Sequence, residues 1–88
     1  MNNTKQRYQR PRKHIHWKDA ITLLESGKPA TLKVWKLSTG DIITYPNAVC
    51  IGSHWRGGTH RIRLQNSNLI REFRDITLFE INEYEIIR

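Results

Sequence analysis

The sequence predicts a small, mainly β domain with one N-terminal helix, preceded by a flexible basic arm. Three observations lead to this fold class. Positive charge without any acid is concentrated in residues 1–18, a helical period is confined to residues 17–26, and an extended pattern follows Pro29 and continues to the C-terminus. A chain of 88 residues has room for one domain with a modest core. We therefore expect an arm over residues 1–15 and one domain over residues 16–88.

The arm is predicted from its charge. The formal net charge is +7, and six cations with no carboxylate lie in the first fifth of the chain: Lys5, Arg7, Arg10, Arg12, Lys13 and Lys18. Such a segment repels itself and cannot bury apolar surface, so it favours disorder until a polyanion neutralises it. Tyr8 and Trp17 add rings that can stack on bases, and Pro11 opposes a helix. The arm is thus expected to bind nucleic acid; a merely solvated tail is the alternative.

The first ordered element is predicted to be an amphipathic helix over residues 17–26. Its apolar residues recur at helical spacing: Trp17, Ala20, Ile21 and Leu24. Asp19 favours the positive end of the helix dipole, Gly27 is a natural left-handed stop, and Pro29 prevents the helix from resuming. The apolar stripe is expected to cover a sheet.

Extended segments follow at residues 30–37, 41–45 and 48–51. Ser38-Thr39-Gly40 predicts a hairpin turn with the glycine in the left-handed conformation, and Pro46-Asn47 is expected to bend the next strand. Residues 52–58 are predicted to form a loop rich in glycine. Trp55 in this loop either closes the core or stacks on a ligand, and the sequence leaves both readings open.

Residues 59–76 predict a hairpin that carries cationic and aromatic side chains. His60, Ile62 and Leu64 alternate with Arg61 and Arg63, which is the period of a half-buried strand. Asn66-Ser67-Asn68 supplies the turn, with an asparagine in the left-handed conformation. Arg71 and Phe73 on the second strand are expected to join Arg61 and Arg63 in one phosphate-and-stacking surface; a core position for Phe73 is the alternative.

The predicted nucleic-acid-binding residues therefore fall into three groups. They are Lys5, Arg7, Arg10, Arg12 and Lys13 of the arm, Trp55 and Arg56 of the loop, and Arg61, Arg63, Arg71, Phe73 and Arg74 of the hairpin. The last segment, residues 77–88, is acidic through Glu80, Glu83 and Glu85. We expect it to lie away from nucleic acid and to pair with Arg71, Arg74 or Lys33.

The helix at 17–26, the segment Val34-Trp-Lys-Leu-Ser-Thr-Gly40, the hairpin at 59–76 and the strand at 77–87 together resemble the Sm-like and SH3-like small β-barrels. The resemblance implies a five-stranded barrel capped by the helix. It implies architecture alone, since a fold of this kind hosts many functions.

Catalytic and metal-binding chemistry finds little support in the sequence. The four histidines and Cys50 lack metal-ligand spacing, and the sequence has no nucleophile elbow or phosphate-binding glycine loop. No cofactor is expected. Two alternatives to a non-catalytic nucleic-acid-binding protein stay open. One is a small mRNA interferase toxin that uses His60, Arg61, Arg63 and Arg74 to stabilise a phosphorane-like transition state. The other is a structural or adaptor protein of a phage or mobile element.

The expected location is the cytoplasm. The N-terminal charges are not followed by an apolar segment, no apolar run approaches the length of a membrane span, and the single cysteine suits a reducing compartment. No membrane partner is expected, and a homo-oligomer is compatible with the sequence. DNA and RNA are equally compatible as ligands.

Overall fold

The computed structural model describes residues 10, 11 and 13–88. Its strands are β1 (Lys13–His16), β2 (Ala30–Trp35), β3 (Ile42–His54), β4 (Thr59–Leu64), β5 (Ile70–Arg74), β6 (Leu78–Ile81) and β7 (Tyr84–Ile87); its helix is α1 (Trp17–Leu24), and a short 3-10 turn spans Asp75–Thr77. The strands form one sheet in the order β1-β7-β6-β2-β3-β4-β5. Only the β1–β7 pair is parallel among the described strands.

The predicted five-stranded barrel is wrong. The described chain forms an open, mixed sheet of seven strands in which β1 and β5 are the two edges. A closed barrel would need its edge strands to pair with each other. The resemblance to SH3-like and Sm-like proteins therefore reaches no further than a small, mostly β domain with a helix.

One additional strand arises because the C-terminal segment turns at Asn82 and Glu83. Both residues have positive φ, 48° and 68°, as required at the centre of the tightest hairpin turns. Asn82 also bonds to β2, accepting the Thr31 N–H at its Oδ1 and donating its own N–H to the Thr31 carbonyl. These contacts hold β6 and β7 as a hairpin where the sequence predicted a single strand.

The other additional strand lies within the predicted arm. Lys13–His16 pairs in parallel with Tyr84–Ile87, with Ile15 opposite Ile86. Ile15 packs against the core, so this segment does have apolar surface to bury. Residues 13–15, which the sequence assigned to the arm, thus belong to β1 in the structure, while Lys5, Arg7 and Arg12 lie outside the described residues.

The helix begins where predicted and ends slightly earlier, at Leu24. The His16 ring caps it by accepting the Lys18 N–H at Nδ1 (3.1 Å), and Glu25 closes it by donating its N–H to the Ile21 carbonyl. Gly27 follows with a φ of +85°. Ala20 and Leu24 are buried and fix the helix on the sheet. Within the described chain, no helix is long and apolar enough to cross a membrane.

The core lies on one face of the sheet, under α1. Alternate residues of the strands point into it, as the predicted period required. Its buried apolar residues are Ala20, Leu24, Ala30, Leu32, Val34, Tyr45, Ala48, Ile62, Phe73, Leu78, Ile81 and Ile86. Each fully buried leucine or isoleucine contributes about 1.5–3 kcal/mol relative to an exposed one.

Strand β3 is bent but not broken at Pro46-Asn47. Ala30 pairs with Ala48 and Leu32 with Tyr45, so β3 holds one more residue than β2 in this interval, and Asn47 takes a φ of 49°. Beyond Ala48, β3 leaves β2 and continues with β4 as its antiparallel partner. The end of β3, β4 and β5 thus form a three-stranded extension of the sheet, and this extension carries the candidate site.

Candidate nucleic-acid interface

Three arginines lie on the outer face of β4 and β5. The register places Thr59 opposite Arg74, Arg61 opposite Glu72 and Arg63 opposite Ile70. Residues that face each other across a ladder share one side of the sheet. Arg61, Arg63 and Arg74 therefore form a single cationic surface, which we name the arginine face. His60 and Ile62 alternate with these residues and point into the core.

Within the described chain, the arginine face forms no ion pair with an acid. Residues 42–74 contain five arginines (56, 61, 63, 71 and 74) and one carboxylate, Glu72. In the described part of the chain, no carboxylate comes within 4.0 Å of Arg61, Arg63 or Arg74. An exposed guanidinium without a partner keeps its planar set of donors for a ligand, and phosphate and carboxylate oxygens match that geometry.

An exposed aromatic ring stands at the tip of the β3–β4 hairpin. Trp55 is 81% exposed, and the Arg56 guanidinium lies over its ring at 5.2 Å. The turn is well defined because His54 Nδ1 accepts the Gly57 N–H at 3.2 Å, and a Cβ at Gly57 would approach that nitrogen to 2.8 Å. Of the two positions left open for Trp55, the structure shows the one outside the core.

The predicted grouping of Arg71 and Phe73 with Arg61 and Arg63 is wrong. Phe73 faces His60 and Arg71 faces Ile62, so both belong to the opposite side of the hairpin. Phe73 is only 6% exposed, and its ring stacks on Tyr45 and His60 at centroid distances of 6.5 and 6.2 Å. The register set by the Asn66–Asn68 turn determines which side of the sheet Arg71 and Phe73 occupy, because a shift of one residue exchanges the two faces. Phe73 is a core residue.

A buried histidine bridged by two carboxylates supports the arginine face from behind. His60 Nδ1 lies 2.6 Å from Asp75 Oδ1, and Nε2 lies 2.7 Å from Glu25 Oε2. Burial lowers the pKa of His60 and is the largest single influence, but the hydrogen bonds and charges of Asp75 and Glu25 together outweigh it and leave the pKa raised. These two contacts tie β4 to the end of α1 and to the turn after β5.

The sequence correctly predicted His60 on the apolar side of its strand, but it did not predict that Asp75 and Glu25 contact the ring. The one sequence feature that indicated such a cluster was a histidine on the apolar side of a strand. Glu25 lies 35 residues away in sequence, so no local pattern connects it to His60. Buried ionisable groups need partners, and here both partners are distant in the chain.

The β6–β7 hairpin at the opposite end of the sheet carries three glutamates, and two of them contact cationic side chains. Lys33 bonds Glu80 at 3.6 Å, which confirms one of the predicted pairings. Glu85 is contacted by Arg10 at 2.8 Å and by His14 at 3.2 Å. Lys13 lies over the Tyr84 ring at 5.8 Å. Two residues predicted to bind nucleic acid, Arg10 and Lys13, therefore contact β7, remote in strand order from the arginine face.

The arginine face also contains a cleft of about 290 Å³. It lies beside the hairpin and is lined by residues 51–54 of β3, Thr59 and Arg61 of β4, and Glu72 of β5. No cluster of three or more histidine, cysteine, aspartate or glutamate side chains suited to a metal ion occurs among residues 10, 11 and 13–88.

The described residues define a small, mostly β domain that carries a cationic surface on β4 and β5. No protein-family model matches the chain, and no curated protein or solved structure is significantly similar to it.

Proposed function

We propose that this protein binds nucleic acid without catalysing a reaction on it, and that the arginine face and Trp55 form the contact surface. The observation that carries the proposal is a set of three guanidinium groups on one exposed surface that form no ion pair within the described chain. The tip of the β3–β4 hairpin adds a tryptophan that is 81% exposed. Nucleic-acid surfaces of β proteins combine these two features, since cations track the phosphates and aromatic rings stack on bases.

The position of His60 favours binding over catalysis. The toxin hypothesis needed His60 on the same surface as Arg61, Arg63 and Arg74. Instead, its side chain is 5% exposed, both ring nitrogens are bonded to carboxylates, and it points away from the arginine face. A group that cannot reach a phosphate cannot transfer a proton to or from it.

The arm keeps its proposed role only in part. We propose that Lys5, Arg7 and Arg12 contact phosphates in addition to those bound by the arginine face. The proposed location of this binding is the cytoplasm. Arg10 and Lys13 already contact Glu85 and Tyr84 of β7, so we expect them to contribute less. The adaptor hypothesis gains no observation of its own from the fold.

The test is a binding titration of fluorescently labelled single- and double-stranded DNA and RNA at several salt concentrations. The triple variant Arg61→Ala, Arg63→Ala, Arg74→Ala is compared with a charge-matched control, Lys28→Ala, Lys36→Ala, Arg71→Ala. Each lost phosphate contact lowers the slope of log affinity against log salt by about 0.7–0.9. We expect the first variant to lose about 2–3 units of slope and the control less than about one unit.

Three results would contradict the proposal. The wild-type protein could bind none of the four nucleic acids, which would favour an adaptor role. Both variants could bind alike, which would remove the arginine face from the contact. The labelled strands could be cut during the titration, which would restore the toxin hypothesis.

A further inference from the structure

The cleft on the arginine face is open at its floor and charged at one wall. Gly52 lies opposite Arg61 in the β3–β4 register, and a Cβ built there would meet no atom within 4 Å. The space beside the Arg61 side chain is therefore unfilled. Ile51, 43% exposed, supplies an apolar surface to the same cleft. A volume of about 290 Å³ is sufficient for a small planar ring system.

The charged wall consists of Arg61 and Glu72, which face each other directly across β4 and β5. Facing residues in a sheet have Cβ atoms about 4.5–5.5 Å apart, a position in which opposite charges usually pair. Here the two side chains form no ion pair with each other, and neither pairs with another charged residue in the described ranges. A set of donors and a set of acceptors thus stand side by side, both available to one ligand.

Guanine is the nucleobase that matches this arrangement at both groups. Its O6 and N7 atoms accept a bidentate pair of hydrogen bonds from arginine. Its N1–H and N2 amino group present two adjacent donors, which one carboxylate can accept together. Adenine, cytosine and uracil or thymine present a single donor group on that edge, so they would leave one carboxylate oxygen without a partner.

We infer that the cleft between Arg61 and Glu72 binds an unpaired guanine base. The inference rests on the proposed function and adds base preference to it. In a duplex the N1–H and N2 amino groups are occupied by cytosine, so the site would take guanine from a single strand or a loop. The neighbouring guanidinium groups of Arg63 and Arg74 would hold the flanking phosphates.

The experiment compares short strands that differ at one central position, made in both DNA and RNA forms. The central base is thymine or uracil, guanine, or inosine, which is guanine without its N2 amino group. A well-formed bidentate base contact discriminates by about 5- to 150-fold. We expect the wild-type protein to bind the guanine strand about 5- to 150-fold more tightly than the thymine or uracil strand. The inosine strand should lose a large part of this difference in affinity.

The variant Glu72→Gln tests the carboxylate, and Glu83→Gln is its matched control. Both residues are exposed and lose the same charge, but Glu83 lies in the β6–β7 turn at the acidic end of the sheet. We expect Glu72→Gln to bind guanine and inosine strands equally while retaining affinity for the thymine strand. Glu83→Gln should preserve the guanine preference. Thermal melting of both variants checks that each one folds.

The outcomes separate this inference from the function on which it rests. If the wild-type protein binds all single strands equally, nucleic-acid binding stands and the guanine site is wrong. If Glu72→Gln keeps the preference for guanine over inosine, the reading group lies elsewhere and the inference is overturned. If no strand is bound in either sugar form, the proposed function itself fails.

Discussion

The two faces of β4 differ in how completely their polar groups are satisfied. On the inner face, His60 has a carboxylate at each ring nitrogen, and Ile62 is fully buried. On the outer face, Arg61 and Arg63 have no ion-pair partner within the described chain. These side chains alternate along one short strand, so the same backbone supports both. The inner face can therefore account for folding, while the outer face is available to a ligand.

The same division applies to the aromatic residues of the extension. Phe73 is enclosed by Tyr45 and His60, whereas Trp55 is exposed at the hairpin tip. Both residues are large and aromatic, so residue type alone does not explain why one is buried and the other is exposed. Their positions in the register do, and substitutions on the two faces should consequently affect different measurements.

The largest effect is expected at Phe73. Replacing Phe73 with Ala should lower the free energy of unfolding by about 3–5 kcal/mol, because it opens a cavity beside Tyr45 and His60. Urea denaturation measures this change. Trp55→Ala is the control and should change stability by no more than about 0.5 kcal/mol. Equal losses for the two variants would mean that Trp55 also belongs to the core.

The next effect concerns the charge of His60. The pKa of His60 in the folded state is raised above 6.5, the ordinary value for a histidine side chain in an unfolded chain. The folded state therefore holds the imidazole proton more tightly than the unfolded state does. The contribution of the His60 charge to the free energy of unfolding should be fully present below pH 6.5 and should be lost as pH rises through the raised pKa of the folded state. Urea denaturation from about pH 6 to about pH 9 would show stability falling with pH.

The variant His60→Gln identifies the responsible group. It should remove this part of the pH dependence. It should cost less than the roughly 3–5 kcal/mol typical of breaking a fully buried ion pair, because the Glu25 side chain is 46% exposed. A variant that retains the wild-type pH dependence would assign the titration to another residue.

A smaller effect is expected on ligand binding at Trp55. Its replacement by Ala should weaken binding of a single strand by about 1–3 kcal/mol, the usual contribution of one stacked base. Fluorescence anisotropy measures the loss. Trp35→Phe provides the control, because Trp35 is 41% exposed but stacks on Phe79 away from the arginine face. Weakened binding in the control would extend the contact surface to the outer end of β2.

The smallest effect is expected for Arg63→Ala. Loss of one phosphate contact should reduce the salt slope by about 0.7–0.9 and leave the melting temperature nearly unchanged, since exposed charges add little to stability. Lys36→Ala removes an exposed cation from the β2–β3 loop and should leave the slope closer to that of the wild type. A lower melting temperature for Arg63→Ala would show that its side chain supports the sheet.

Local pattern in the sequence was sufficient for the elements whose cause is local. The start of α1 at Trp17, the left-handed turn positions at Gly27 and Gly40, a left-handed asparagine in the turn at 66–68 and the two-sided character of β4 were all predicted correctly. Each depends on residues within a few positions of one another, through side-chain spacing or the permitted φ of glycine and asparagine.

The features that the sequence did not predict depend on contacts between segments that are distant in the chain. Lys13–His16 became a strand only because β7 offered it a partner, and Phe73 joined the core because the register of β5 placed it opposite His60. The cluster of His60, Glu25 and Asp75 joins residues up to 35 positions apart. Hydrogen bonds between strands and burial of charged groups are properties of distant segments in contact, so no local spacing in the chain encodes them.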